Sequence, residues 1–599
     1  MKTIVAILAL SLLGACGQQQ QQARVGAEQA KDSGAQRANA VAEVDALADE
    51  LLEHWRATNV QVRFQSNLPV TQIEDFTFDQ AQKDADYYRA ALPRLKAIDL
   101  SGLPEDRWVL ARLLEHTYEQ GSHAAEDYWL TFVVTPYSGA MSVLGIQRVL
   151  AGQKFETADD LQRYLKLVDE YAAMIDQMAA KTREQAERGI RVPKPAIPGV
   201  RTSLSGLRGG VVAALDVAPT RTSALVPADV ASFRSSLNQK FQQGVLPAYD
   251  RILAVFDDAY VAAAPERVGL SQYPGGKENY LRRIAYGTGL SLTPQEIHDR
   301  GLAAVADLDA QKKAIREELK FQGDRDAFEK LLRKDKRFIA KTPADVEKRY
   351  LGYVERMAPK IPGYFSVVPK APYGVKRLDP AAEPGMTYGF YREPSPDNPA
   401  GTYFYNGSNL DQRSLVSAQH LIYHELIPGH HLHLALQAEN ETVHPIREFL
   451  LFGAFTEGWA EYAASLGSEM GLYSDPYDRY GHLLLQSMLA TRLVVDTGMN
   501  YFDWPLEKAR AYMKEHTFES DVQIASETLR YSTDLFAQAL DYRLGYDQFW
   551  QLRREAEAKL GERFDIRRFH AAAVGDGAMP LDVLTERIER FIAGQRDGE

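Results

Sequence analysis

Tyr423-His424-Glu425-Leu426-Ile427-Pro428-Gly429-His430-His431-Leu432-His433 gathers four of the chain's thirteen histidines and an acid into an otherwise helical, apolar-periodic run. A His-Glu pair followed closely by further histidines is what a zinc hydrolase takes from one helix. The imidazoles hold the metal and the carboxylate sits beside its water. The usual spacing places two histidines at i and i+4, on one face. Here the residue four after His424 is Pro428, which cannot ligate. In a regular helix His431 lies near the same face but about 10.5 Å further along, and His430 points roughly 120° away. Pro428 has no N–H for the His424 carbonyl, and Gly429 tolerates unusual dihedrals. A bulge or kink there is therefore expected to return a histidine to the metal side. His430 needs the smaller insertion; His431 is the alternative.

A catalytic zinc takes three protein ligands and leaves one position for water. The third is expected from Thr456-Glu457-Gly458-Trp459-Ala460-Glu461-Tyr462. Glu457 and Glu461, four apart, share a face of a helix that Phe455, Trp459 and Ala460 make half buried. Such a pair of acids requires a positive partner, which a metal provides.

His424-Glu425-x-x-Pro428-Gly429-His430-His431 followed by Glu457-Gly458-Trp459-Ala460-x-Tyr462 resembles the bacterial "domain of unknown function 885" family. That family is grouped with the gluzincin metallopeptidases, whose second helix carries the glutamate ligand. Weaker matches are Pro274-Gly275-Gly276, Leu292-Thr293-Pro294-x-Glu296-Ile297-His298 and Gln538-Ala539-Leu540-x-Tyr542-x-x-Gly545, ending near Phe569-His570 and Pro580-Leu581. The resemblance covers most of the body, and the long histidine spacing is one of its features. It implies a mainly helical zincin-like fold, Zn2+ held by His424, His430 and Glu457, and Glu425 as catalytic base. Metal-assisted hydrolysis of a peptide substrate then follows. Tyr542 and His570 are candidate donors to the tetrahedral oxyanion. Glu461 and His420 are expected to support the ligands. The strand Gly401-Thr-Tyr-Phe-Tyr-Asn406 is expected to pair with an extended peptide, so Tyr405 and Asn406 are candidate substrate contacts. A turn before Gly407 is the other reading of Asn406. His298, His433, His444 and His482 are read as packing or surface residues.

The rest of the chain sets the context. At 599 residues, with 45% apolar and 25% charged side chains, it has an ordinary soluble composition and room for a substantial core. A net charge of -12 argues against nucleic acid as a partner. The single cysteine, Cys16, excludes an intrachain disulfide and a thiolate metal site. It follows a charged start, a short apolar run and Leu13-Gly14-Ala15, which resembles the lipobox of bacterial lipoproteins. Cleavage before Cys16, acylation of its thiol and a place on the membrane, at the outer membrane facing the periplasm, are the expectation.

The expected organisation is a leader over 1–15, a disordered tether over 16–40, a helical region over 41–290 and a metallopeptidase-like region over 291–599. Apolar residues at three-and-four spacing predict helices almost throughout. Capping boxes at Thr293-Glu296 and Thr342-Asp345 mark two helix starts. Pro193 to Gly210 reads as a loop. Tyr364–Val368, Met386–Tyr391 and Thr402–Tyr405 read as strands of a small, mostly antiparallel sheet ahead of the His-Glu helix. The fold class is mainly α. A zinc amidase acting on a non-peptide or cell-wall substrate, and a non-catalytic binding lipoprotein, are the alternatives to a peptidase.

Overall fold

The computed structural model describes residues 34–380, 383, 389–395 and 398–597. Cys16, the leader and the first part of the tether lie outside them, as do residues 386–388 of an expected strand.

Helices form where an apolar stripe recurs every three or four residues. The longest, Ala158–Glu187, buries Leu161, Leu165, Val168, Ala172, Ile175 and Ala179 and opens on a Thr157–Asp160 capping box. Each large aliphatic side chain so buried contributes about 1.5–3 kcal/mol. The capping boxes of Thr293 with Glu296 and Thr342 with Asp345 form, and start the helices Pro294–Glu318 and Pro343–Met357. Pro193 to Gly210, expected as a loop, is mostly the helix Ile197–Leu215. Val200, Leu204, Val211 and Leu215 anchor one face, while Gly206, Gly209 and Gly210 face open space. The buried stripe outweighs the helix penalty of about 1 kcal/mol per exposed glycine.

The fold is mainly α with one small sheet. The strands β1 (Tyr373–Arg377), β2 (Gly389–Arg392) and β3 (Gly401–Tyr405) lie in the order β1-β3-β2. β1 runs parallel to β3 and β2 antiparallel, so the sheet is mixed rather than mostly antiparallel. Tyr364 closes a helical turn, Ile361–Tyr364, instead of opening a strand. Charged and exposed residues make up most of β1, which hid it from a search for alternation.

Two large apolar clusters carry the molecule. One joins Val44, Leu51, Trp108 and Leu114 to Met357, Tyr423, Trp459, Phe549 and Leu584. The other runs from Val60 to Ile297 and takes in Leu493, Phe536 and Leu540. The expected boundary near residue 290 is therefore not where the core divides. Burial matches apolar faces whatever their order in the chain.

The helical run that carries the histidines is two helices, Ala418–Glu425 and His430–Glu439. Gly453–Ser465 packs on Asp541–Leu560, and Pro476–Asn500 lies along Pro294–Glu318. Gly458 and Gly545 meet backbone to backbone, where a Cβ on either would collide with the other chain segment. Among the described residues no helix is long and apolar enough to cross a membrane.

Candidate metal centre

The helix Ala418–Glu425 stops because Pro428 offers the His424 carbonyl no N–H. Other bonds close the gap. Gly429 N–H donates to the Tyr423 carbonyl at 3.0 Å and His431 N–H to that of Leu426 at 3.1 Å. Gly429 lies so near the His424 carbonyl that any side chain there would collide with it. Trp459 Nε1–H donates to the Pro428 carbonyl at 3.2 Å, tying the break to the helix of Glu457. The imidazoles of His424 and His430 consequently meet edge to face, with ring centroids 4.5 Å apart.

Between them stands Glu457. Its Oε2 lies 3.4 Å from Nε2 of His424 and 3.4 Å from Nε2 of His430. These three donors all fall within 4.8 Å of one another. A separation of 3.4 Å is long for a hydrogen bond, and buried Oε2 has none. It does match the edge of a tetrahedron around a small cation, about 3.3–3.4 Å for bonds of ~2.0–2.1 Å. The donor set and its spacing fit such an ion. Burial opposes charge on Glu457, yet the two imidazoles outweigh it and hold the carboxyl far below its ordinary range.

A second layer fixes the first. Glu461 Oε1 lies 2.9 Å from His424 Nδ1, an ion-pair contact without hydrogen-bond geometry, on the side of the ring opposite the Nε2 that faces the centre. Its Oε2 lies 3.0 Å from His420 Nε2 and accepts from the Gln486 amide at 2.6 Å. His420 Nδ1 lies 2.8 Å from the Tyr473 hydroxyl and 2.9 Å from His482 Nδ1. Burial again disfavours the charge on Glu461, and His420 and His424 reverse the balance.

Glu425 follows His424 and is half buried. Among the described residues no side chain hydrogen-bonds or pairs with its carboxylate. Burial raises its pKa, against the pull of His424 and His430. An acid so placed is able to exchange a proton beside whatever the three donors hold.

Other expected site residues take different parts. His431 points away from the centre: its Nδ1 meets the Tyr391 hydroxyl at 2.9 Å and its Nε2 the Ala371 carbonyl at 3.1 Å. Burial pushes it down to about 4. His570 is spent inside the protein as well. Nε2 meets the Tyr462 hydroxyl and Nδ1 the Tyr364 carbonyl, each at 2.8 Å, while the ring stacks on Phe365. No nitrogen is left for an oxyanion. Tyr405 donates to the Pro343 carbonyl and is buried. Asn406 donates to the Glu383 carbonyl and accepts from Ser408, forming the turn. β3 is the middle strand, so a peptide cannot add to it; the edges among the described residues are β1 and β2. Burial raises the pKa of Tyr542, and the charge of Glu457 adds to it.

Sequence reasoning missed Gln486, Tyr473 and Tyr391 and gave His482 no role. Each touches the site from an element whose position in space no local pattern announces. His433 is buried as expected, one turn beyond His430, with neither ring nitrogen hydrogen-bonded.

Helices thus deliver two imidazoles and a carboxylate to one point, with Glu425 next in sequence to His424 and unpaired among the described residues, and this defines a candidate metalloprotein centre. Residues 56–588 match the family described as "Bacterial protein of unknown function (DUF885)", and the chain belongs to that family. No curated protein matches. Two solved structures share the fold. One, described as "the putative lipoprotein from Colwellia psychrerythraea", has a TM-score of 0.79 at 23% identity, covering 93% of this chain and 99% of that one. The other, "a putative lipoprotein of unknown function from Shewanella oneidensis", has a TM-score of 0.70 at 18% identity, covering 91% and 98%.

Proposed function

We propose that this protein is a zinc-dependent peptidase of the bacterial envelope. The observation that carries the reading is that Glu457 Oε2 stands 3.4 Å from Nε2 of both His424 and His430, with all three donors within 4.8 Å and, among the described residues, no partner for the carboxylate of neighbouring Glu425. Two histidines and a glutamate with an open fourth position form one of the donor sets of catalytic zinc. Bound there, zinc would polarise a peptide carbonyl and acidify water. Glu425 takes the proton of the attacking water and returns it to the leaving amine. Glu461 holds the His424 ring in register through both half-reactions. Tyr542 is the remaining candidate donor to the oxyanion. The edge strand β2, unpaired on its outer side among the described residues, is the place for an extended substrate, because Tyr391 bonds His431 and brings that strand to the histidine helix. Leu13-Gly14-Ala15-Cys16 and the description of both solved relatives as lipoproteins support a lipid anchor at Cys16.

The test is Glu425→Gln in zinc-loaded protein against a peptide library. Turnover is expected to fall by about 10²–10⁴-fold with metal content unchanged. Equal turnover in the variant removes the role of Glu425, and a wild type that cuts cell-wall amides but no peptide favours an amidase.

A further inference from the structure

Beyond Glu457 the interior carries a charge imbalance. Tyr542 comes one turn before Gly545, whose backbone abuts Gly458, and burial and the charge of Glu457 both act on its phenol. Over that ring, 4.6 Å from its centroid, lies the guanidinium of Arg492. Arg492 Nε–H donates to the Tyr531 hydroxyl at 2.6 Å and its Nη2–H to Glu527 Oε2 at 3.2 Å. Arg530 Nη2–H donates to the same oxygen at 2.8 Å, and so does the Tyr531 hydroxyl. The other oxygen of Glu527 accepts from the Gln523 amide.

Two guanidiniums therefore share one carboxylate. Their side chains keep only 11% and 14% of their exposure. Among the described residues no hydrogen bond reaches Arg492 Nη1, and Arg530 Nε is buried without one. The neighbouring acids do not make up the deficit. Burial pushes Asp496 up to about 7 and Asp541 well above the carboxylate range. Burial disfavours the charge on Arg492, but Tyr531, Glu527 and Tyr542 around it hold the guanidinium cationic, and a carboxylate is the anion its planar fork fits.

We infer that Arg492, backed by Arg530, receives a carboxylate of the substrate, and that the protein cuts peptides close to a free carboxyl terminus. This rests on the peptidase reading and narrows it. Arg492 shares the helix Pro476–Asn500 with Gln486, the residue that holds Glu461. Six residues place it about 9 Å further along the axis. At ~3.4 Å per extended residue, the carboxylate that reaches it lies only a few positions past the scissile bond.

Three matched peptides test the inference on zinc-loaded full-length protein: a free acid, its carboxy-terminal amide, and an amide carrying Asp near its end. Calorimetry on Glu425→Gln measures their binding apart from turnover. The free acid is expected to be cut and bound at least ~30-fold better than the plain amide, the gain from a charge-assisted pair with a guanidinium. Arg492→Gln is expected to erase that preference, and Arg492→Lys to keep part of it. Equal cleavage and binding of acid and amide by the unaltered site overturns the inference and leaves the peptidase reading intact. A wild type that cuts no peptide defeats the peptidase reading, and calorimetry then judges carboxylate binding alone. Rescue of the amide by its Asp overturns the assignment to the chain terminus. A preference that survives in Arg492→Gln removes that arginine from the site.

Discussion

Buried polar groups behave differently in the helical core between residues 130 and 290 and around His424. In the former they close on one another. Tyr171 and Tyr249 share a 2.6 Å hydrogen bond, Gln147 donates to Tyr171 at 2.8 Å, and Tyr164 donates to the Leu215 carbonyl. Among the described side chains of that stretch, Arg191 Nε is the buried polar atom left without a partner. Around the centre, Glu457 Oε2, His430 Nδ1, both nitrogens of His433 and one oxygen each of Asp496 and Asp541 lack hydrogen bonds. Unsatisfied buried polar groups cost about 1–3 kcal/mol each. The comparison teaches that the helical core satisfies its own buried polar groups, while the surroundings of His424 leave several of theirs unmatched.

Four substitutions break or sharpen that contrast. Glu457→Ala is expected to have the largest effect, weakening zinc binding by more than about a hundredfold, beyond what a supporting residue costs. Zinc content after dialysis reads it, and undiminished retention would move the third ligand elsewhere. Glu461→Gln keeps the shape but loses the charge that orients His424. Its zinc affinity is expected to drop by about 10–100-fold, measured by competition with a chelator.

Asp496 predicts a pH effect. It is fully buried, accepts from Tyr280 at 2.5 Å and has a pKa pushed up to about 7, chiefly by burial. Between the ordinary carboxylate value and about 7, the folded chain holds a proton that the unfolded chain has released. Stability should therefore fall as pH rises through that window, by up to about 1.4 kcal/mol per unit from this group. Asp496→Asn should flatten this part of the dependence in thermal unfolding at pH 5 and pH 7.5; an unchanged slope would show that Asp496 is not its source. The smallest effect is expected in the closed region. Tyr171→Phe strands Gln147 and Tyr249 and should cost about 1–3 kcal/mol with zinc affinity unaltered. A loss of metal in that variant would mean the two regions are coupled.

Much of the centre was legible along the chain. His424, Glu425, His430, Glu457 and Glu461 share short motifs, and Pro428-Gly429 announces a helix break because the chemistry of those two residues is local. The capping boxes at Thr293 and Thr342 were legible for the same reason. The helix through Gly206–Gly210 was not, because exposed glycines obscure a stripe whose partners lie far off in sequence. His570, Tyr405 and Asn406 looked like site residues and turned out to hold the fold together. Their polar atoms are taken by the Tyr364, Pro343 and Glu383 carbonyls, contacts that exist only after distant segments dock.

The sequence by itself determined the mainly helical class, the residues able to bind a cation and the place where their helix must bend, since each depends on neighbours within a few positions. Tertiary packing alone decided which histidine faces Glu457, that β3 is a middle strand, and that Arg492, Tyr531 and Tyr542 gather beside the centre. Those outcomes depend on how apolar faces dock, as when Gly458 meets Gly545, and docking is set by the summed burial of residues hundreds of positions apart.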